Sequence, residues 1–376
     1  MLTVLACIFV FGILVTVHEF GHFITAKLTG MKVEEFSIGF GPNIYQQQEG
    51  ETLYSLRMLP LGGYNKIAGM DPEDPEDLER GFNSKPVASR MLVILAGSLM
   101  NFILPVLIFF GIFLAYGMEV PQNTPVLGQI VEGYPAAQSG LKEGDRVLSI
   151  NGQPVSQWTD IRTRLADSGT KPVPFEIQRD KEMLKVTVTP VLNPETGKPF
   201  IGVVSSLKRV QLTPWQAAVS SVTATKNIIK NMYASLYHMI TGKTKAELSG
   251  PVGVAKMAGQ VAHKGFDMLL QFTAMLSLNL AIINLLPLPA LDGGHFLILL
   301  IEAVTGHKLG KTAMQNIQKV GVAMILAITI FATRGSFSVH RSEKTPASKY
   351  SSTSGLSPRG HLERQAEFHA STQDEA

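Results

Sequence analysis

"VTVHEFGHFITAKL", Val15 to Leu28, sets two histidines and a glutamate inside an otherwise apolar run near the start of the chain. Four residues separate His18 from His22, so a helix puts both imidazoles on one face, where they can hold one zinc ion. Glu19, beside the first histidine, is placed to take a proton from water. Zinc in such a site lowers the pKa of a bound water toward about 7 and polarises a carbonyl, which is the chemistry of a hydrolase. On a soluble helix the same pattern can be a solvated polar patch. At bilayer depth, ionisable side chains are costly unless paired or metal-bound, so such a cluster marks function.

The surrounding run extends from Leu2 to about Leu28, and three more follow: Met91 to Tyr116, about Met268 to Ala290, and about Ile317 to Thr333. Each approaches or exceeds the roughly 20 residues that cross a bilayer as a helix. The first lacks the basic leader and small-residue cleavage site of a signal peptide. Composition agrees, since 45% of the 376 residues are hydrophobic and mean hydropathy is +0.17, which suits a membrane protein with soluble parts. A net charge of +3 with no Lys/Arg cluster interleaved with aromatics argues against nucleic acid as a partner. The single cysteine, Cys7, excludes an intrachain disulfide framework and reads as a small buried hydrophobe. Lys27 and Lys32 follow the first span while Lys85 and Arg90 precede the second, which places 29–90 inside and 117–267 outside, with both termini.

A catalytic zinc takes three protein ligands and keeps one position open, so one ligand remains to be found. Asp292, in "NLLPLPALDGGH" from Asn284 to His295, is favoured. Pro287 and Pro289 should break the third span, and Gly293 and Gly294 should free the backbone to present the carboxylate. At 1.5 Å per residue His18 lies about 24 Å below the outer end of its span, and Asp292 about 36 Å along a straight path from Met268, which the proline break shortens. Both then fall in the inner third of the membrane. His295 is the rival third ligand. Asn284 is a candidate donor to a substrate carbonyl or developing oxyanion, its alternative being a helix-packing amide. The run His295 to Val304 is too short to span and reads as an extension or neighbour of the third helix, and Glu302 and His307 receive no role.

Between the spans, 43–59 reads as two short strands about a Glu-Gly turn, followed by Gly62 and Gly63. Residues 134–169 alternate strand-like runs with Gly-Asp and Asn-Gly turns before an amphipathic helix over about 156–165, and 174–191 reads as a closing hairpin. Residues 214–240 read as a helix with proline in its first turn. The tail, 334–376, is rich in Ser, Thr and charge and reads as disordered.

Taken in order, "HEFGH", "LPLGGY" at Leu59 to Tyr64, "FNSKP" at Phe82 to Pro86, "SGPVG" at Ser249 to Gly253 and "NLLPLPALDGGH" resemble the site-2 protease family of intramembrane zinc metalloproteases, most closely its bacterial RseP-type members. The resemblance covers Met1 to about Thr333. It implies His18, His22 and Asp292 as zinc ligands, Glu19 as general base and acid, and cleavage of a substrate helix within the membrane. It also implies residence in the bacterial inner membrane. The implied substrates are single-span proteins already shortened by another protease, such as anti-sigma factors, or remnant signal peptides. Leu59, Gly62, Gly63 and Tyr64 fall in the family's membrane-associated β-hairpin, which receives the unwound substrate as an added strand.

"PAAQSGLKEGDRVLSINGQPV" resembles a PDZ domain covering about 120–207, a module that binds peptide or gates substrate. There are three departures: one such module where some relatives carry two, Ser98 in "GSLMN" where relatives commonly have proline, and the long tail. The serine is expected to change the chemistry little.

The expected molecule is a polytopic α-helical membrane zinc endopeptidase with about four transmembrane helices, a membrane-associated β-hairpin and an extracytoplasmic α/β PDZ domain. Its expected divisions are 1–116, 117–207, 208–267, 268–333 and 334–376. The alternatives are a PDZ-bearing membrane scaffold without proteolysis, which an intact His18, Glu19, His22 and Asp292 argue against, and a zinc transporter, which should line several spans with polar groups.

Overall fold

No proline interrupts the first apolar run, and helix α1 occupies Leu2–Leu28 without a break. The structure, a computed structural model, describes residues 1–71, 74, 79–193, 197–242, 250–310, 312–324 and 327. They form two compact units: a helical one, Met1–Phe113 with the chain from Pro214 onward, and an α/β one, Leu114–Thr213.

In the helical unit, α1 is followed by β1 (Val33–Glu49) and β2 (Thr52–Ile67), which turn about Gly50 at φ +59°. The strands expected over 43–59 are only the outer part of this hairpin. Phe36 pairs with Asn65 on one side and Tyr54 on the other, so segment 33–38 lies between 63–67 and 53–56, while 43–49 pairs with 52–57. Among the described residues, the outer sides of 43–49 and 63–67 carry no strand partner. The hairpin is held to the helices by an apolar cluster of Val33, Phe36 and Ile67 with Phe23 and Ala26 of α1 and Val93 and Ile94 further on.

Helix α2 spans Val87–Tyr116. It starts before the expected Met91 because Pro86 leaves the residues after it free to begin a helix.

The α/β unit contains β3 (Met118–Pro121), β4 (Leu127–Ile130), α3 (Pro135–Gln138), β5 (Arg146–Ile150), β6 (Gln153–Pro154), α4 (Trp158–Ser168), β7 (Val173–Arg179), β8 (Glu182–Val188), β9 (Val191–Leu192), β10 (Pro199–Phe200), β11 (Val203–Ser205) and β12 (Leu207–Val210). A four-stranded sheet in the order β6-β5-β7-β8 is joined by the pairs β4 with β11, β3 with β12 and β9 with β10. Asn151 and Gly152, both at positive φ, make the tight turn between β5 and β6. Alternation along β5 and β7 sends Val147, Phe175 and Ile177 inward to meet Ile161 and Leu165 of α4.

Back in the helical unit, α5 (Pro214–Ile240) fills the expected range, and α6 (Pro251–Ala262) is a helix that apolar-run counting does not register. Helix α7 covers Phe266–Asn284, and α8 covers Asp292–Thr305. The third expected span therefore ends at Asn284, not Ala290, because the Pro287 and Pro289 break takes effect early; the run beginning at Asp292 is a separate helix. Among the described residues, three helices, Leu2–Leu28, Val87–Tyr116 and Phe266–Asn284, are long and apolar enough to cross a membrane. Residues 312–324 are helical. Residues 325, 326 and 328–333 of the fourth expected span, Ser249 of "SGPVG" and the tail lie outside the described residues.

Candidate active site

The apolar residues of α1 point outward or into the bundle, while His18 and His22 turn to the same side and meet ring edge to ring face, 4.8 Å between centroids. Their Nε2 atoms are 3.2 Å apart. Asp292, the first residue of α8, completes a triangle: Oδ2 lies 3.4 Å from His18 Nε2 and Oδ1 lies 3.7 Å from His22 Nε2. Taking one ligand atom per residue, all three lie within 4.8 Å of one another. A tetrahedral zinc with bonds of about 2.0–2.1 Å has ligand-to-ligand edges of about 3.3–3.4 Å, so the donor set suits the ion in chemistry and the two shortest separations, 3.2 and 3.4 Å, approach it in size. His295, one turn along α8, does not belong to the triangle.

The remaining walls come from α2. Gly97 is the closest approach: a Cβ there would fall on His22 Nε2 and sit 2.8 Å from His18 Cε1. Val93 O accepts from His22 Nδ1 at 2.8 Å, Ser98 Oγ donates to Asp292 Oδ2 at 3.0 Å, and the Asn101 amide faces His18 Nδ1 at 3.3 Å. Each member of the triangle thus has its own partner on one helix. Such partners fix ring tautomer and ligand orientation. Ser98, expected to matter little, holds the carboxylate in place, a contact proline cannot make.

The glycines after Asp292 act differently from the expectation. Both are helical, and what they supply is room: a Cβ on Gly293 would collide with the Leu285 and Leu286 carbonyls, and one on Gly294 with Leu288 O. The first turn of α8 can then fold tightly against the end of α7. Ala290, at φ +67°, turns the chain into it. Further along α8, a buried ion pair ties it to α2: Arg90 of α2 donates from Nη1 and Nη2 to Glu302 of α8 at 3.0 and 2.5 Å. Sequence reading missed it because a lone Arg and a lone Glu far apart in the chain carry no shared pattern.

Glu19 is half-buried next to His18, with its carboxyl in electrostatic reach of His22 and Asp292. Asn284 is the last residue of α7 and half-buried; no hydrogen bond ties it to the triangle. His307 is exposed and bonds within its own turn, to Thr305 O.

Of the hairpin residues, Leu59 is exposed and Pro60 O comes within 3.3 Å of where a Cβ on Gly12 of α1 would be. Gly12 is six residues from His18, about 9 Å along the helix. Gly62 leaves room for the Phe40 ring and Gly63 for Ser37 O. Tyr64 is turned inward: its hydroxyl donates to Glu35 Oε2 at 2.5 Å and accepts from Arg57 Nη2 at 2.6 Å. Burial first, then the Glu35 carboxylate, push its phenol up to about 12, so it stays a donor at neutral pH. The Tyr64 side chain is thus committed within the hairpin.

Two imidazoles and a carboxylate converging on one point, with a glutamate alongside, define a metallopeptidase-type site. Comparison with known proteins agrees: the profile of Peptidase family M50 matches residues 6–328. The regulator of sigma-W protease RasP from Bacillus subtilis (strain 168) is 34% identical, covering 88% of this chain and 97% of that one. Zinc metalloprotease RasP from Bacillus licheniformis is 32% identical, covering 88% and 97%. Among solved structures, the PDZ domain of an SdrC-like protein from Listeria monocytogenes matches 23% of this chain and 90% of that one at 18% identity, with a TM-score of 0.20. The chain belongs to peptidase family M50, the site-2 class of intramembrane zinc metalloproteases.

Proposed function

We propose that His18, His22 and Asp292 hold the zinc ion and that Glu19 moves the proton during hydrolysis of a peptide bond in a membrane-embedded substrate. The observation that carries this reading is the convergence of three ligand side chains: the two Nε2 atoms are 3.2 Å apart, and the Asp292 carboxylate reaches one with Oδ2 at 3.4 Å and the other with Oδ1 at 3.7 Å, close to the edges of a tetrahedral zinc shell. When bound, zinc supplies Lewis acidity, polarising the scissile carbonyl and acidifying water. The Glu19 carboxylate accepts a proton from the attacking water and returns it to the departing amide nitrogen. Asn284 is proposed as a donor to the developing oxyanion.

A helical peptide bond is locked in its own hydrogen-bond ladder, so a substrate helix must unwind before it is cut. The unpaired outer side of 63–67, with Leu59, Gly62, Gly63 and Tyr64 at or near its start, would receive the freed backbone as an added strand. In the proposed topology the hairpin and Lys/Arg-flanked loop face the cytoplasm, the α/β unit is an extracytoplasmic PDZ domain, and a fourth span lies beyond α8. The proposed substrate class is a single-span protein shortened beforehand, and the PDZ domain would admit or hold its new end.

Incubation of a model single-span substrate with purified wild type and Glu19→Gln, with zinc measured in both, tests the reading. Equal zinc is expected, with cleavage slowed about 10²–10⁴-fold in the variant. Full zinc in both proteins and no cleavage by either across a broad substrate panel would favour the PDZ-bearing scaffold instead.

A further inference from the structure

A neutral imidazole coordinates through Nε2 only when its hydrogen sits on Nδ1, and an acceptor opposite Nδ1 keeps it there. For His22 that acceptor is Val93 O, 2.8 Å from Nδ1 and unable to donate. For His18 the side chain opposite Nδ1 is the amide of Asn101, 3.3 Å away and completely buried, and the Gly97 carbonyl is a backbone acceptor to the same ring. An amide can donate or accept, so Asn101 either joins Gly97 in holding the hydrogen on Nδ1 or opposes it, according to which end is presented.

With Nδ2 toward the ring, Oδ1 is buried without a hydrogen-bond partner. Half a turn about the Asn101 Cβ–Cγ bond exchanges the two ends and merely replaces one orphan by another. Hydrogen-bond counting therefore does not choose, whereas the ligand triangle does. A donor at Nδ1 would force the hydrogen onto Nε2, the atom that faces His22 Nε2 at 3.2 Å and Asp292 Oδ2 at 3.4 Å. The backbone around Asn101 is fixed from the other side, since Ser277 Oγ of α7 donates to its carbonyl at 2.8 Å.

We infer that Asn101 presents Oδ1 to His18 Nδ1–H and so fixes the tautomer in which His18 Nε2 coordinates zinc. Asn101 is a positioning residue that touches neither metal nor substrate. The inference rests on the zinc reading of His18, His22 and Asp292.

The test is zinc affinity by chelator competition, together with the d–d absorption bands of the cobalt(II)-substituted protein, on the full chain in detergent. Asn101→Leu removes the acceptor and is expected to weaken zinc binding about 10–100-fold and shift the cobalt bands. Asn101→Asp, which keeps an accepting oxygen, and Ser277→Ala, which removes only the backbone tether, are expected to retain both. Wild-type affinity and bands in Asn101→Leu overturn the inference, as does an equal loss in Asn101→Asp and Asn101→Leu. Should Asn101→Leu fail to fold, Asn101→Ala takes its place with the same outcomes. His18→Ala separates the two claims: unchanged zinc affinity there sinks the ligand reading itself, whereas its loss beside wild-type behaviour of Asn101→Leu sinks only the role of Asn101.

Discussion

Each unit of this protein buries a charged cluster, and the two are satisfied differently. In the α/β unit, Asp145 is 1% exposed and saturated by its neighbours: Arg179 donates to both carboxylate oxygens at 2.8 Å, and the Lys142 backbone N–H adds a third bond. Nothing further is required, and the cluster locks the loop before β5 to the end of β7. In the helical unit, His18, His22 and Asp292 turn their ligating atoms toward one another, with two imidazole nitrogens 3.2 Å apart. A shared cation would satisfy all three at once, as proposed above. The contrast sets a polar cluster saturated by its own neighbours against one whose donor atoms converge on a common point.

Substitutions that act on one cluster and spare the other probe this contrast. The largest effect is expected for His18→Ala, which should weaken zinc binding by more than about 100-fold, beyond what loss of a supporting hydrogen bond costs, while leaving the α/β unit folded; zinc titration and amide exchange over β5 and β7 report the two sides. Asp145→Ala is the mirror image. It should lower the opening free energy of β5 and β7 by about 1.5–3 kcal/mol, the range for hydrogen bonds to a charged group, with zinc content unchanged. Ser98→Ala, losing a single hydrogen bond to Asp292, should weaken zinc about tenfold.

The smallest effect is acid sensitivity of the α/β unit. Burial pushes the Asp145 carboxyl up, but the Arg179 hydrogen bonds, the Lys142 N–H and their charges outweigh it and hold the group below its ordinary 3.8. A depressed folded-state value means the stabilisation is complete above the unfolded value and fades as pH falls through the folded one. Protection of β5 should therefore drop below about pH 4 in wild type and show no such step in Asp145→Ala.

The two clusters were also unequally legible in the sequence. HExxH announces itself because four residues is one helical turn, and the length of α1 followed from an unbroken apolar run. Asp292 was reachable because prolines in an apolar span demand an explanation. The contributions of α2 were not. Gly97, Ser98 and Asn101 are ordinary small and polar residues of a membrane helix, and their meaning comes from which face packs on α1, something no local pattern encodes. Arg90 and Glu302 were opaque for the same reason. The hairpin was underestimated because its strands bend and pair twice, so alternation fades where segment 33–38 becomes central. The role of Gly293 and Gly294 was misjudged: flexibility is the usual inference from paired glycines, and here close helix packing requires them.

Helices α1 and α8 are proposed to build one zinc site together. The most direct test is zinc K-edge absorption of the full-length protein in detergent, beside the zinc content of Asp292→Ala. The account predicts a shell containing two imidazoles and oxygen at about 2.0–2.1 Å, with Asp292→Ala binding zinc far more weakly. An Asp292→Ala protein with wild-type zinc affinity and an unchanged shell would contradict it.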